Sequence, residues 1–385
     1  MSIREIDQQY VAGTYNRFPV QIVSGKGSLV YDENGKEYID MGSGIAVTSF
    51  GIADEKWQQA VTEQIGKVQH MSNLYYTEPC ALLAQALCQK TGMKKVFFGN
   101  SGAEANECAI KVARKYAADH YGADRYTIVT MNHSFHGRTL TTLAATGQDH
   151  YHELFQPLTP GFASISTLDE LKAIHAATPV AGILFEVVQG EGGVLPLDPA
   201  FLREMVAFAK ENDIITMVDE VQTGNGRCGQ MYAYMNLGIE PDVVSTAKGL
   251  AGGLPLGACL LSEKVQNVLG FGDHGSTFGG NPVSCAAALS IVDRLDDALF
   301  ADVRAKSDFI FKSFEGASGV EAVSGMGLMI GIKTVKPAGA IVKACMEQGV
   351  LCLTAKDKVR LLPALNIPMD VLAKAVAIIK SCCAE

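Results

Sequence analysis

Hydrophobic positions along the chain follow two rhythms. Short, nearly continuous apolar runs at KKVFFGN (94–100), YTIVT (126–130), GILFEVV (182–188), IITMVDE (214–220) and DVVST (242–246) read as buried strands. Between them, apolar residues recur at helical spacing. Asp54 is placed to cap a helix with Trp57, Val61, Ile65 and Val68 on one face. Pro79 suits the first turn of a second helix, with Leu83 and Leu87 following and Gly92 ending it. A third runs from about Gly102 to Asp119, and a fourth from Pro199 to about Lys210 behind the cap Asp198. Apolar strands alternating with helices predict a mostly parallel sheet covered on both faces.

After Asn281 the rhythm changes to a long helix, the glycine-rich strand-like VSGMGLMIGIK (323–333), a helix over 338–348 and a terminal helix from Met369. The first fifty residues include a hairpin-like stretch, SLVYDENGKEYIDM (28–41), turning at Asn34-Gly35. The expected organisation is a large α/β domain over residues 55–280 and a smaller α+β domain built from both ends, residues 1–54 and 281–385. There is no internal repeat, low-complexity tract or Pro/Ser-rich linker.

Composition narrows the class. The 385 residues are 48% hydrophobic and 19% charged, enough for a sizeable core. Lys+Arg 32 against Asp+Glu 41 leaves a net charge of −9 without any basic block, so nucleic acid is not an expected partner. No apolar stretch approaches the ~20 residues that a membrane helix needs. MSIREIDQQY lacks the apolar core of a signal peptide, which points to a soluble, cytoplasmic protein. The ten cysteines are scattered without CxxC spacing, and the eight histidines show no HxxxH-type spacing. Neither a disulfide framework nor a metal site is expected, and the thiols read as reduced and structural.

In an open α/β sheet, ligands bind beyond the carboxyl ends of the strands. Four segments there carry chemistry. GNSGAEANE (99–107) links strand to helix through small residues, as a phosphate cradle at a helix N-terminus or as a plain turn. Asp219, followed by Glu220, ends a strand as a helix cap, a metal ligand or the partner of a buried cationic nitrogen. Lys248 lies between a strand and a glycine-rich turn, either snorkelling or desolvated into a nucleophilic amine of the kind Schiff-base chemistry needs. SFHGRT (134–139) offers Phe135 to stack on a planar ligand and Arg138 to fork a carboxylate, with His136 read as structural. The hydroxyls of Ser276 and Thr277 in GSTFGGN (275–281) suit phosphate or substrate. A phosphate cradle, a stacking ring, an acid for a ring nitrogen and a nucleophilic lysine together describe a pyridoxal phosphate site.

In order and spacing, SGAEANE, SFHGR, EVVQGEGG, DEVQTGNGRCG, STAKGLAGGLPLGA, GDHGSTFGGNP and RLLPAL resemble the class III (subgroup II) aminotransferases over essentially the whole chain. TYNRFPV (14–20) and SNLYYTEP (72–79) are most similar to the branch that acts on N-acetylornithine. The resemblance implies a fold-type I pyridoxal-phosphate enzyme, with Lys248 attaching the cofactor and then moving the proton. It implies Asp219 on the pyridine nitrogen, Gln222 and Val221 beside the ring, Phe135 stacked on it, and Gly102 and Ala103 on the phosphate. It also implies Thr277 acting on the phosphate of a neighbouring subunit, hence a homodimer with shared sites. Tyr15, Arg138 and Ser276 are implied as substrate contacts. Arg360 is implied as the site for the α-carboxylate of glutamate or 2-oxoglutarate, with Glu191 neutralising it while the amine donor is bound.

The implied reaction transfers the terminal amine of N2-acetylornithine to 2-oxoglutarate, giving N-acetylglutamate 5-semialdehyde and glutamate, a step of arginine biosynthesis. Ornithine, succinylornithine or 4-aminobutyrate as donor, an aminomutase or racemase reaction, and a non-catalytic cofactor carrier stand as alternatives. Two departures from the family pattern are present. Val187 stands where Pro is frequent, and FGIADEKW (50–57) replaces a GHxHP-like segment, with an expected effect on the site entrance.

Overall fold

The computed structural model describes residues 1–384. Its centre is a seven-stranded sheet. In spatial order the strands are Lys95–Gly99, Gly257–Leu261, Val243–Thr246, Ile215–Asp219, Val180–Phe185, Thr127–Met131 and Phe162–Ile165. All neighbours are parallel except Gly257–Leu261, which runs against both of its partners. Six strands therefore point their carboxyl ends to one edge.

Alternate residues serve two cores. Ile128, Leu184, Met217 and Val243 face one cluster, built with Cys108, Ala109, Val112 and Ala113 of the helix Gly102–Tyr121. Val129, Ile183, Val218 and Val244 face the other, packed by the helices Leu168–Ala177 and Pro199–Glu211. The strands are apolar on both faces because both faces are covered.

The second core continues into the C-terminal part, through Ile330, Ile332, Leu361, Leu372 and Ile379. There a hairpin, Val320–Met326 with Met329–Thr334, forms a sheet with Lys358–Leu361 and Leu353–Ala355. The two chain ends meet in a further sheet, where Val350–Leu351 pairs in parallel with Glu37–Asp40 of the N-terminal hairpin. Arg227, fully buried, donates to the carbonyls of Leu328 and Pro363 and so ties the loop after Asp219 to this region.

Most elements fall where the patterning places them, with differences of local origin. The helix expected after Asn281 is two, Pro282–Val292 and Asp297–Phe314, because Asp296 caps the second by accepting from the Leu299 N–H at 2.9 Å. Pro282–Val292 packs on the helices Glu55–Ile65 and Glu78–Thr91. No disulfide joins any of the ten cysteines among the described residues.

Candidate active site

At the carboxyl edge of the sheet lies a cavity of about 480 Å³. Segments following five strands line it. Asn100, Ser101, Gly102 and Ala103 follow Lys95–Gly99, Phe135 to Arg138 follow Thr127–Met131, and Glu186 and Glu191 follow Val180–Phe185. Asp219, Val221 and Gln222 stand at the end of Ile215–Asp219, and Ala247 and Lys248 follow Val243–Thr246. The parallel topology brings these residues together, since strands pointing one way deliver their following loops to one edge.

Gly102 and Ala103 open the helix Gly102–Tyr121, whose cap Ser101 accepts from the Glu104 N–H at 3.2 Å. Their own N–H groups precede the helical ladder and form the positive end of the helix dipole. A Cβ on Gly102 would stand 2.6 Å from Val221 Cγ1, so the turn has room only for glycine.

Asp219 is 4% exposed and held from three sides. Its Oδ2 accepts from Asn106 Nδ2 at 2.7 Å and lies 2.8 Å from His136 Nδ1. Its Oδ1 accepts from the Val221 N–H at 3.0 Å. Asn106 in turn accepts from the Ser245 hydroxyl and donates to the His136 carbonyl. His136 Nε2 is buried and, among the described residues, has no hydrogen-bond partner.

Lys248 projects from a backbone with φ 46°. Burial pushes its ammonium below the ordinary lysine range, and the charge of Arg360 acts the same way, against Glu191, Asp219 and Glu186. Glu191 and Arg360 form an ion pair at 2.5 Å, with Gln222 donating to Glu191 at 3.4 Å and accepting from Arg360 at 3.2 Å. Burial raises the Glu191 carboxyl, but Arg360 outweighs it and the group ends below its usual range. Glu186, enclosed and next to the Asp219 charge, is pushed far upward. It accepts from the Phe135 N–H at 3.0 Å and the Gly190 N–H at 3.3 Å.

Phe135 forms part of the wall and meets Tyr151 edge-on at 5.7 Å. The Arg138 guanidinium lies 4.9 Å over Tyr151 and, among the described residues, has no carboxylate partner. Four expected residues are not among those lining this cavity: Arg360, which is buried and meets the wall through Glu191 and Gln222, and Ser276, Thr277 and Tyr15. Ser276 and Thr277 line a neighbouring cleft with Asn73, Cys80 and Phe98, although Ser276 Oγ accepts from Asn100 Nδ2 of the cavity wall at 3.0 Å. Tyr15 is 73% exposed in a separate groove beside the N-terminal helix, under the Arg17 guanidinium.

The segment FGIADEKW is also placed differently from expectation. Rather than standing at the mouth, it lies behind the turn that follows Lys248, where Trp57 Nε1 donates to the Ala251 carbonyl at 2.8 Å. Asn106 and Glu186 escaped sequence reasoning. Their only local signal is a polar residue inside an otherwise apolar face or run, in AEANECAI and GILFEVV.

Residues 10–383 match the family described as Aminotransferase class-III. The chain is 47% identical to the acetylornithine aminotransferase of Haemophilus ducreyi, across 100% of this chain and 98% of that protein. It is 42% identical to that of Aquifex aeolicus, across 96% and 99%. Among solved structures, the N-acetylornithine aminotransferase of Stenotrophomonas maltophilia superposes with a TM-score of 0.84 at 33% identity, covering 98% of this chain and 97% of that one. The ornithine aminotransferase of Toxoplasma gondii gives 0.93 at 28%, covering 99% and 94%.

Proposed function

Because the chain belongs to the class-III aminotransferases, we propose that it moves the terminal amine of N2-acetylornithine to 2-oxoglutarate, using pyridoxal phosphate. The products are N-acetylglutamate 5-semialdehyde and glutamate. The observation that carries the reading is the ion pair between Glu191, in the wall of the Lys248 cavity, and the buried Arg360, in a chain 47% identical to an acetylornithine aminotransferase across its whole length.

The residues present fit the cofactor. The N–H groups of Gly102 and Ala103 suit a phosphate at a helix N-terminus, in a turn that a Cβ would fill. Phe135 and Val221 would bracket a ring, Gln222 would reach its hydroxyl, and Asp219 would keep its nitrogen protonated. Asp219 suits that task because three groups hold its carboxylate in place. When bound, pyridoxal phosphate supplies an aldehyde that takes up the amine and a ring that accepts the electrons released when a C–H bond breaks.

The chain's own groups do the rest. Lys248 Nζ, with its charge disfavoured by burial, would be the base that carries the proton from the substrate carbon. Arg138, free of ion pairs at the rim, takes a carboxylate with its two-pronged fork. While Glu191 covers Arg360, the pair is neutral and the pocket admits the terminal amine of the donor. When 2-oxoglutarate enters, its α-carboxylate takes the place of Glu191 on Arg360. One pocket thereby accepts two substrates of different charge.

The homodimer belongs to the same reading. Thr277 stands in a cleft beside the cavity rather than in it, and Leu74, Tyr75, Tyr76 and Phe278 are exposed nearby. A second copy covering this apolar surface would bring Thr277 to its neighbour's phosphate. The division into residues 55–280 and the two chain ends is supported by the strand pairing of 350–351 with 39–40. Helix Pro282–Val292, although it follows the boundary at 280, packs on the helices Glu55–Ile65 and Glu78–Thr91 of the large part. No helix among the described residues is long and apolar enough to cross a membrane, which suits a cytoplasmic enzyme.

Purified protein mixed with single amine donors tests the reading through conversion of the bound aldehyde to the amine form, followed by its reversal with 2-oxoglutarate. Acetylornithine is expected to act faster than ornithine, succinylornithine or 4-aminobutyrate. A faster ornithine reaction would reassign the donor alone. Lys248→Ala is expected to abolish covalent attachment of the cofactor and lower the rate by at least ~1000-fold. Persistence of the covalent link in that variant would overturn the whole assignment.

A further inference from the structure

We propose that residues 47–57 form a strap that positions Lys248 through the backbone of its turn, with Ser49 and Trp57 as positioning residues for the reaction. The proposal rests on the role given to Lys248 above.

Lys248 occupies the left-handed region with φ 46°, which a non-glycine side chain adopts only where its surroundings enforce it. The enforcement comes from two directions. On the amino side, Asn225 Nδ2 donates to the Ala247 carbonyl at 3.1 Å and to Thr246 Oγ1 at 2.9 Å. On the carboxyl side, the strap supplies two donors from one short segment. Ser49 Oγ donates to the Gly249 carbonyl at 3.0 Å, and Trp57 Nε1 donates to the Ala251 carbonyl at 2.8 Å.

Two glycines of the turn are shaped to receive these contacts. A Cβ on Gly249 would stand 2.6 Å from Ser49 Oγ, and one on Gly252 would stand 3.1 Å from Trp57 Nε1. Gly253 and Leu254, the next residues, line the cavity, as does Val47 at the start of the strap. Ser49 is 2% exposed, and Trp57 is the chain's single tryptophan. The strap itself is anchored. Asp54 holds Arg294 through two contacts of 2.8 and 2.9 Å, and the Ser49 carbonyl accepts from the Leu365 N–H at 2.8 Å.

This last bond connects the strap to the segment that carries Arg360. It uses only the backbone of Ser49, so removing the hydroxyl releases the Lys248 turn without releasing Arg360. The strap therefore acts on proton transfer at Lys248 Nζ and leaves the carboxylate sites in place. A displacement of the order of 1 Å at a catalytic group is enough to slow its step by one to two orders of magnitude.

Ser49→Ala, Ser49→Thr and Trp57→Phe test this in the loaded enzyme. The alanine and phenylalanine variants are expected to retain a full complement of cofactor and KM values within about twofold of the parent. Each is expected to lose about tenfold in kcat and in the rate at which saturating donor bleaches the visible cofactor band. Ser49→Thr, which keeps the hydroxyl, is expected to restore most of that rate. Should Ser49→Ala fail to fold, Trp57→Phe decides alone, because it keeps a ring against Gly252 and removes only the N–H. Lowered thermal stability with an unchanged bleaching rate would overturn the strap and leave the role of Lys248 standing. A covalently held cofactor in Lys248→Ala would overturn both.

Discussion

Lys248 and Glu220 show how burial changes what one side chain does. The left-handed backbone of Lys248 costs about 1–2 kcal/mol relative to an ordinary conformation, and the hydrogen bonds on both flanks of the turn offset it. Glu220, fully enclosed beside Asp219, is pushed by burial from 4.5 up to about 7, although the Thr223 hydroxyl and the Tyr234 N–H favour its charged form. The folded protein thus holds this proton more tightly than the unfolded chain does. The contribution to stability is complete below pH ~4.5 and is lost as the pH rises through about 7. Across that window it amounts to about 3 kcal/mol. Glu220→Gln, which cannot ionise, is expected to flatten the decline of the urea midpoint between about pH 5 and 7. A variant whose midpoint declines in parallel with the parent would contradict this account.

Single elements were legible where their neighbours did not matter. Asp54 reads as a helix cap in the sequence, and it accepts from the Trp57 N–H at 3.0 Å. The sequence carries no sign that the same carboxylate grips Arg294, whose guanidinium lies 3.8 Å over Phe50. Asp54→Ala is therefore expected to cost about 2–4 kcal/mol, more than the ~1 kcal/mol of a lost cap, because it leaves a largely buried cation unpaired. Chemical unfolding of Asp54→Ala beside Arg294→Ala and the double variant measures the coupling. Additive losses would show that the pair contributes nothing beyond the cap.

Strand legibility followed the same logic. Val180–Phe185 is apolar throughout because both of its faces are covered. Phe162–Ile165 is a half-exposed edge strand without a continuous apolar run, and Gly257–Leu261 emerges directly from the glycine-rich turn that masks it.

At the scale of the whole molecule, the parallel direction of six strands gathers residues from five separate loops around one cavity, while Thr277 stands in a neighbouring cleft, from which the proposed dimer would bring it to a second copy's site. This division is testable by mixing. Lys248→Ala and Thr277→Ala homodimers are each expected to be impaired. Hybrids refolded from an equal mixture should carry one site with both residues intact. Random pairing then restores about a quarter of the parent activity. Mixed samples no more active than the average of the two variants would refute sharing of Thr277 across the interface.

Local physics determined much of this protein in advance. Strand and helix periods, the cap at Asp54, the small-residue turn at Gly102, the acid ending a strand at Asp219 and the lysine before a glycine-rich turn all depend on residues within a few positions of one another. Periodicity and capping report a residue's own surroundings, so they survive in one dimension. Tertiary structure decided the pairs, of which only Glu191 with Arg360 was implied beforehand, by the family resemblance. Arg360 meets Glu191 across 169 positions, Asn106 meets Asp219 across 113, and Ser49 meets Gly249 across 200. Such contacts are set by strand order and by two chain ends closing into one sheet. A hydrogen bond between distant residues leaves no mark on the spacing of either.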